Sequence, residues 1–165
     1  MSWTLYQSVL WAHIFLAIIW VGGLLFIGWG VFPAVKTLVV REQRQTLAVI
    51  LKHSHHFFTL AGAGVIVTGT ALGTVLGPVQ SWEALWHTTY GNLWFAALLI
   101  GIMTLFWGTF VGYRQAIKIL STEHLWTTAK NGYSRPLNHS LFALALLESV
   151  EGLGFVILLT LMIML

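Results

Sequence analysis

The chain has 165 residues, of which 58% are apolar and only 8% are charged, with a formal net charge of +3 and a mean hydropathy of +0.83. An ordinary soluble domain carries about 25% charged residues, so this composition excludes a water-soluble domain and predicts a membrane protein. The absence of cysteine excludes disulfides, thiolate zinc sites and iron–sulfur clusters. The few basic residues form no stripe interleaved with aromatic side chains, so no nucleic acid partner is expected.

Four apolar segments are long enough to cross a bilayer as helices, at about residues 10–31, 57–77, 93–111 and 141–165. They predict an all-α fold, an integral membrane up-down four-helix bundle in which residues 1–165 form a single domain. The N-terminus has no basic region followed by a small-residue cleavage site, so the first segment is expected to remain as a span. The lipid bilayer is therefore the first predicted partner.

The basic residues predict the orientation of these spans. All eight lysines and arginines lie between the first and second spans or between the third and fourth, whereas the middle connector, 78–92, holds Glu83 and no basic residue. By the positive-inside rule both basic connectors lie in the cytoplasm, which predicts an N-out/C-out protein of the bacterial inner membrane. Four tryptophans then form an outer interfacial belt: Trp3, Trp11, Trp82 and Trp86.

Histidines are the main candidates for cofactor ligands, because seven are present against five acidic residues and a buried ionisable group is costly in hydrocarbon. His13 shares one helical stripe with Trp20 and is expected to face the bundle; a neutral histidine bonded to a neighbouring carbonyl is the alternative. Gly62 and Gly69 of the second span either permit close helix contact or leave room for a flat cofactor against the backbone.

Two histidine pairs are conceivable, one near each face. His87 is the only other histidine on the outer side, so an outer pair must join it to His13. On the inner side His55 shares the glycine stripe of the second span, whereas His53 and His56 point away from it. The diagonal partner of His55 would be His139. If His139 and Glu148 belong to one regular helix, however, they lie on opposite sides of it and cannot both face the bundle interior. Histidines in connectors, such as His124, are most often simply solvated.

Glu148 and Glu151 lie one helical turn apart within the fourth apolar segment. The cost of burying carboxylates in lipid predicts that both face inward, toward a proton, a cation or a metal, or that they serve as structural hydrogen-bond partners. The candidate metal ligands are therefore His13, His55, His56, His87, His139, Glu148 and Glu151.

Part of the sequence resembles a known membrane family. The stretch WAHIFLAIIWVGGLLFIGWGVFPAV, with His13, Trp20, Gly22 and Gly23, resembles the first helix of CopD-like (copper resistance D) membrane domains, and TYGNLWFAALLIGIMTLFWGTFVGYR is similar to their third helix. Ala97 stands where that family carries a lysine. The first helix also resembles that of HemJ-type protoporphyrinogen oxidases, in which a haem-bound histidine stands at the place of His13; the missing lysine counts against that enzyme activity.

These observations favour a b-type cytochrome that holds one or two haem b groups between histidine pairs and exchanges electrons with a quinone or a redox protein. The resemblance to CopD implies copper handling as the alternative. Copper(I) prefers thiolate and thioether ligands, and only Met162 and Met164 are placed to assist His13. A structural subunit of a larger membrane complex, a membrane oxidoreductase and a homo-oligomer also remain open.

Overall fold

The computed structural model describes residues 3–165, which are almost entirely helical and contain no strand. Each of its four long helices has 30 to 34 residues and is apolar enough to cross a membrane, since a span needs about 20 residues. The prediction of an all-α protein with four helices long and apolar enough to span a membrane is confirmed for the described residues. The long helices are α1 (Thr4–Val35), α2 (Val40–Gly73), α4 (Thr89–Ser121) and α6 (Arg135–Met164); the short ones are α3 (Trp82–His87) and α5 (Glu123–Lys130).

The long helices extend well beyond the four predicted apolar segments. Basic residues expected in connectors lie instead within helices: Arg41 and Lys52 belong to α2, and Arg114 and Lys118 to α4. The hydropathy pattern marked only the part of each helix that is apolar, because a helix can continue into water without a change in its backbone. The connectors are consequently short, and most of the basic side chains project from rigid helices.

Local hydrogen bonds fix where the helices near the middle connector begin. The Ser81 hydroxyl accepts a hydrogen bond from the Ala84 backbone N–H at the start of α3, and the Thr88 hydroxyl accepts one from the Gly91 N–H at the start of α4. Both are N-cap bonds of the kind that serine and threonine commonly provide. Between α5 and α6 the chain turns at Gly132, whose φ of 94° suits glycine.

Neighbouring long helices pack in antiparallel pairs, α1 with α2, α2 with α4 and α4 with α6. The bundle closes at its centre, where the Trp20 and Phe155 rings meet edge to face with their centroids 5.1 Å apart. We call the end formed by connectors 36–39 and 122–134 the basic end, because all lysines and arginines lie on that side of the bundle. The other end, with connector 74–88 and both termini, is called the opposite end.

The basic end has a hydrophobic core of its own. Trp126 of α5 is buried, and its Nε1 donates a hydrogen bond of 3.0 Å to the Ile119 carbonyl. The Arg44 Nε donates to the Leu120 carbonyl and so ties α2 to the end of α4. We call this group the end cluster; its buried members are Ile119, Leu120, Trp126, Ala129, Leu137 and Leu141.

Three π-helical segments interrupt the regular helices, at Ile18–Gly22, Ile27–Val31 and Trp107–Gly112. π-helical turns are rare and often coincide with functional positions. The first contains Trp20, the most deeply buried large side chain among the described residues. The third contains Gly108 and Gly112, which lie against the glutamates of α6.

Candidate functional site

His13 of α1 is buried, with only 5% of its surface exposed. Its Nδ1 lies 2.9 Å from the Thr68 hydroxyl oxygen of α2. That hydroxyl donates its own proton to the Gly64 carbonyl, at 2.7 Å, so it can only accept from His13. From this hydrogen-bond pattern we assign the His13 ring proton to Nδ1, which leaves a lone pair on Nε2.

The expected stripe on α1 is confirmed, because both His13 and Trp20 face the bundle and are buried. The His13 ring lies against Gly69, where an added Cβ would be 3.0 Å from the ring carbon Cε1. The Trp94 indole donates a hydrogen bond of 3.1 Å to the Gly69 carbonyl from the α4 side. Gly69 thus allows α1 and α4 side chains to approach α2 closely.

The spaces beside the other glycines of α2 are also filled by side chains. A Cβ on Gly62 would lie 2.7 Å from Leu105 Cδ1 and 2.9 Å from Trp20 Cε2, and one on Gly73 would collide with the Trp94 indole. These glycines were expected either to permit close helix contact or to leave room for a flat cofactor, and the structure shows close helix contact. A flat cofactor beside Gly62 would have to displace Trp20 or Leu105.

Among the described residues, no contact joins His13 to His87, the predicted outer pair. His87 is the last residue of α3 and is exposed, whereas His13 is enclosed between α1 and α2. No hydrogen bond or ring contact described for residues 3–165 joins the two side chains. Their pairing remains a prediction.

On α2, His55 is the one member of its histidine run that is turned toward the bundle. It is partly buried, whereas His53 and His56 are exposed. Its ring stacks on Tyr113 of α4, with centroids 3.6 Å apart and planes 11° from parallel. His53 Nδ1 instead lies 2.9 Å from Val49 O of its own helix.

His139 does not face His55. The alternative in which the fourth helix starts after His139 and leaves its ring free to turn inward is wrong, because α6 begins at Arg135 and runs regularly through His139. His139 is exposed while Glu151 is buried. The neighbour that the structure gives His55 is Tyr113, which sequence patterns did not single out because stacking depends on the packing of α2 against α4.

The two glutamates of α6 face α4, as their burial cost predicted. Glu151 is 5% exposed and Glu148 is partly buried, and the two side chains lie one helical turn apart on the same face of α6. The Glu151 carboxyl occupies the space where Gly108 lacks a side chain, and the Glu148 carboxyl does the same at Gly112. The two glycines four residues apart on α4 thus match the two carboxyls three residues apart on α6.

No three His, Asp or Glu side chains within residues 3–165 come together in a way that could hold a metal ion. The predicted ligand set is therefore divided into separate places: His13 between α1 and α2, His55 on Tyr113, the Glu148–Glu151 pair against α4, and exposed His56, His87 and His139. Comparison with known proteins adds no relative, because no family model, curated protein or solved structure matches this chain.

Proposed function

We propose that this protein is a haem-binding membrane protein of the b-type cytochrome kind, with His13 as an axial ligand. The observation that carries the proposal is the hydrogen bond between His13 Nδ1 and Thr68 Oγ1. A histidine that binds a metal through one ring nitrogen commonly donates from the other, which fixes the tautomer and the ring orientation. His13 has this arrangement inside an apolar bundle.

The lone pair on His13 Nε2 is a suitable ligand for haem iron, but the space around the His13 ring limits where a porphyrin can lie. Trp20 and Leu105 fill the space at Gly62, and the His13 ring itself lies over Gly69. We therefore assign a ligand role to His13 alone and no porphyrin contact to the two glycines. His55, Glu148 and Glu151 are not assigned as ligands, because the His55 ring is stacked on Tyr113 and the two carboxyl groups lie against Gly108 and Gly112.

A haem bound to His13 supplies one-electron redox chemistry. The chain holds and orients the imidazole, since Thr68 keeps the Nδ1 proton in place, and the apolar surroundings of α1 and α2 restrict water. The electron donor that fits a site within the bilayer is a quinol or another membrane redox protein. We place His13 in the outer half of a bacterial inner membrane, with the basic end in the cytoplasm and both termini outside.

The proposal is tested by purifying the protein in detergent from cells with sufficient haem and copper, then measuring the visible spectrum and the haem and copper per protein. Wild type is expected to show a haem spectrum. His13→Ala should lose haem, whereas His53→Ala, which changes an exposed histidine, should keep the wild-type ratio. Wild-type protein without haem would contradict the proposal, and copper that depends on His13 would favour the CopD-like function instead.

Thr68→Val provides a finer test, because valine keeps the shape of threonine but removes the acceptor for the His13 proton. We expect haem affinity to fall by about 10- to 100-fold, as for other second-layer partners of metal ligands, with a changed reduction potential of any haem that remains. An unchanged affinity and potential would show that the Thr68 hydrogen bond does not serve a ligand.

A further inference from the structure

Four titratable side chains from three helices lie close to one another around Gly108–Tyr113 of α4. Glu151 and Glu148 lie one helical turn apart on α6, with their carboxyl groups against Gly108 and Gly112 of α4. Glu148 lies against Gly112 of α4, and the next residue of that helix is Tyr113. The Tyr113 ring is stacked on His55 of α2, which is only partly buried.

The four side chains of this group differ in how enclosed they are. Glu151 is near the middle of a 30-residue helix and is the most buried titratable carboxyl among the described residues, at 5% exposed. Glu148, Tyr113 and His55 are each partly exposed, and all three lie at the level of Gly112 and Tyr113 of α4, on the basic-end side of Gly108, which faces Glu151. The environment therefore changes from enclosed at Glu151 to partly exposed at Glu148, Tyr113 and His55.

The Glu148–Glu151 pair is suited to bind a proton. Two neighbouring carboxyl groups enclosed on one helix face favour holding a proton, because two carboxylates would repel each other there. No lysine or arginine is paired with either glutamate among the described residues. The neighbouring titratable groups are Tyr113 and His55, while His56, which touches His55, and Arg114, which follows Tyr113, are exposed.

The helix packed against the pair is also adapted to it. Gly108 and Gly112 leave space for the two carboxyls, and both belong to the π-helical segment Trp107–Gly112. Thr109 of the same segment has its hydroxyl 3.4 Å from the Thr59 hydroxyl of α2, which adds polar atoms on the α2 side. Polar atoms from α2, α4 and α6 thus lie close together around Gly108 and Gly112, between the central Trp20–Phe155 contact and the apolar end cluster.

We propose that Glu148 and Glu151 form a proton-binding site within the membrane that exchanges its proton with water at the basic end, past Tyr113 and His55. The pair holds one proton in its singly charged form. Uptake of a second proton from water at the basic end neutralises it, and release reverses this step without any other change in bonding. The inference does not depend on His13 or on haem.

The test uses infrared spectroscopy of the full-length protein in lipid nanodiscs. The carbonyl stretching band of a protonated carboxyl group is recorded as pH is varied, for wild type, Glu151→Gln, Glu148→Gln and the exposed control Glu123→Gln. We expect a titrating band in wild type and in the control, and its loss or displacement in both variants of the pair. Glutamine preserves the size of the side chain, so folding is expected to survive. A wild-type protein with no such band, or a band unaffected by either variant, would overturn the proposal.

The route is tested by transferring the protein into D₂O and following the isotopic shift of the same band. His55→Phe keeps an aromatic ring against Tyr113 but removes its exchangeable proton, and should slow exchange by about 100-fold, the lower range for a positioned acid–base group. His53→Phe changes an exposed histidine of the same helix and should leave the rate as in wild type. Equal rates in His55→Phe and wild type would overturn the basic-end route even if the band itself is present.

Discussion

Glycine and glutamate are matched at the interface between α4 and α6. A carboxyl group buried in a membrane is expensive, and here both carboxyls are accommodated because the facing positions of α4, Gly108 and Gly112, have no side chain. An apolar side chain could not take the place of either glycine, because any larger residue there would occupy the volume of a carboxyl group. Sequence position alone does not reveal this match, since it requires knowledge of which helix faces Glu148 and Glu151.

Gly108→Ala should therefore destabilise the protein. The added Cβ would collide with the Glu151 carboxyl, and overpacking of this kind costs about 1–3 kcal/mol. The matched control is Gly152→Ala on α6, whose Cβ meets nothing within 4 Å and which should be neutral or slightly stabilising because alanine favours helix. Thermal unfolding of the purified variants measures the effect. A Gly108→Ala variant as stable as Gly152→Ala would show that the carboxyl is free to move away.

The residues that sequence patterns could place are those whose role depends on their own helix. His13 and Trp20 were predicted on one inward stripe from the helical repeat, and His55 was separated correctly from the exposed His53. The partners of these residues were not predicted. Thr68 is one of many threonines in the sequence, and its importance depends on the register of α1 against α2.

At the scale of the helices, length exceeds what the bilayer requires. α2 has 34 residues, which at 1.5 Å per residue is about 51 Å, against a hydrocarbon core of about 30 Å. Several turns of the helix therefore lie outside the hydrocarbon, and the end cluster accounts for their stability at the basic end. The same feature explains why the helix limits were not predictable: hydropathy falls where lipid ends, whereas the backbone helix continues.

Trp126 is expected to hold the end cluster together. It is 4% exposed and hydrogen-bonded to the Ile119 carbonyl, and truncation of a buried tryptophan costs about 3–5 kcal/mol. Trp126→Ala should loosen α5 and accelerate tryptic cleavage after Lys130. Tyr133→Ala, which removes an exposed ring close by, should leave the cleavage rate near that of wild type. Equal cleavage rates in the two variants would mean that the end cluster does not stabilise α5.

For the whole molecule, an even number of antiparallel spans places both termini at one end and all basic residues at the other. The eight lysines and arginines accompany only Glu42 and Glu123 at the basic end, whereas the middle connector at the opposite end carries Glu83 and no basic residue. This asymmetry is strong for so small a chain. It predicts that the basic end faces the cytoplasm, because basic connectors are retained on that side.

The orientation can be tested directly because the sequence has no cysteine. Single cysteines introduced at exposed positions in the connectors, Thr37→Cys and Asn131→Cys at the basic end and Gln80→Cys at the opposite end, keep the helices intact. In whole cells whose outer membrane has been made permeable and whose inner membrane is intact, a membrane-impermeant maleimide should label only Gln80→Cys. After the membrane is opened with detergent, all three should be labelled, which shows that each thiol is reachable. Labelling of the two basic-end cysteines and protection of Gln80→Cys in intact cells would reverse the orientation, move His13 to the inner half of the membrane and direct the proton route from His55 to the outside.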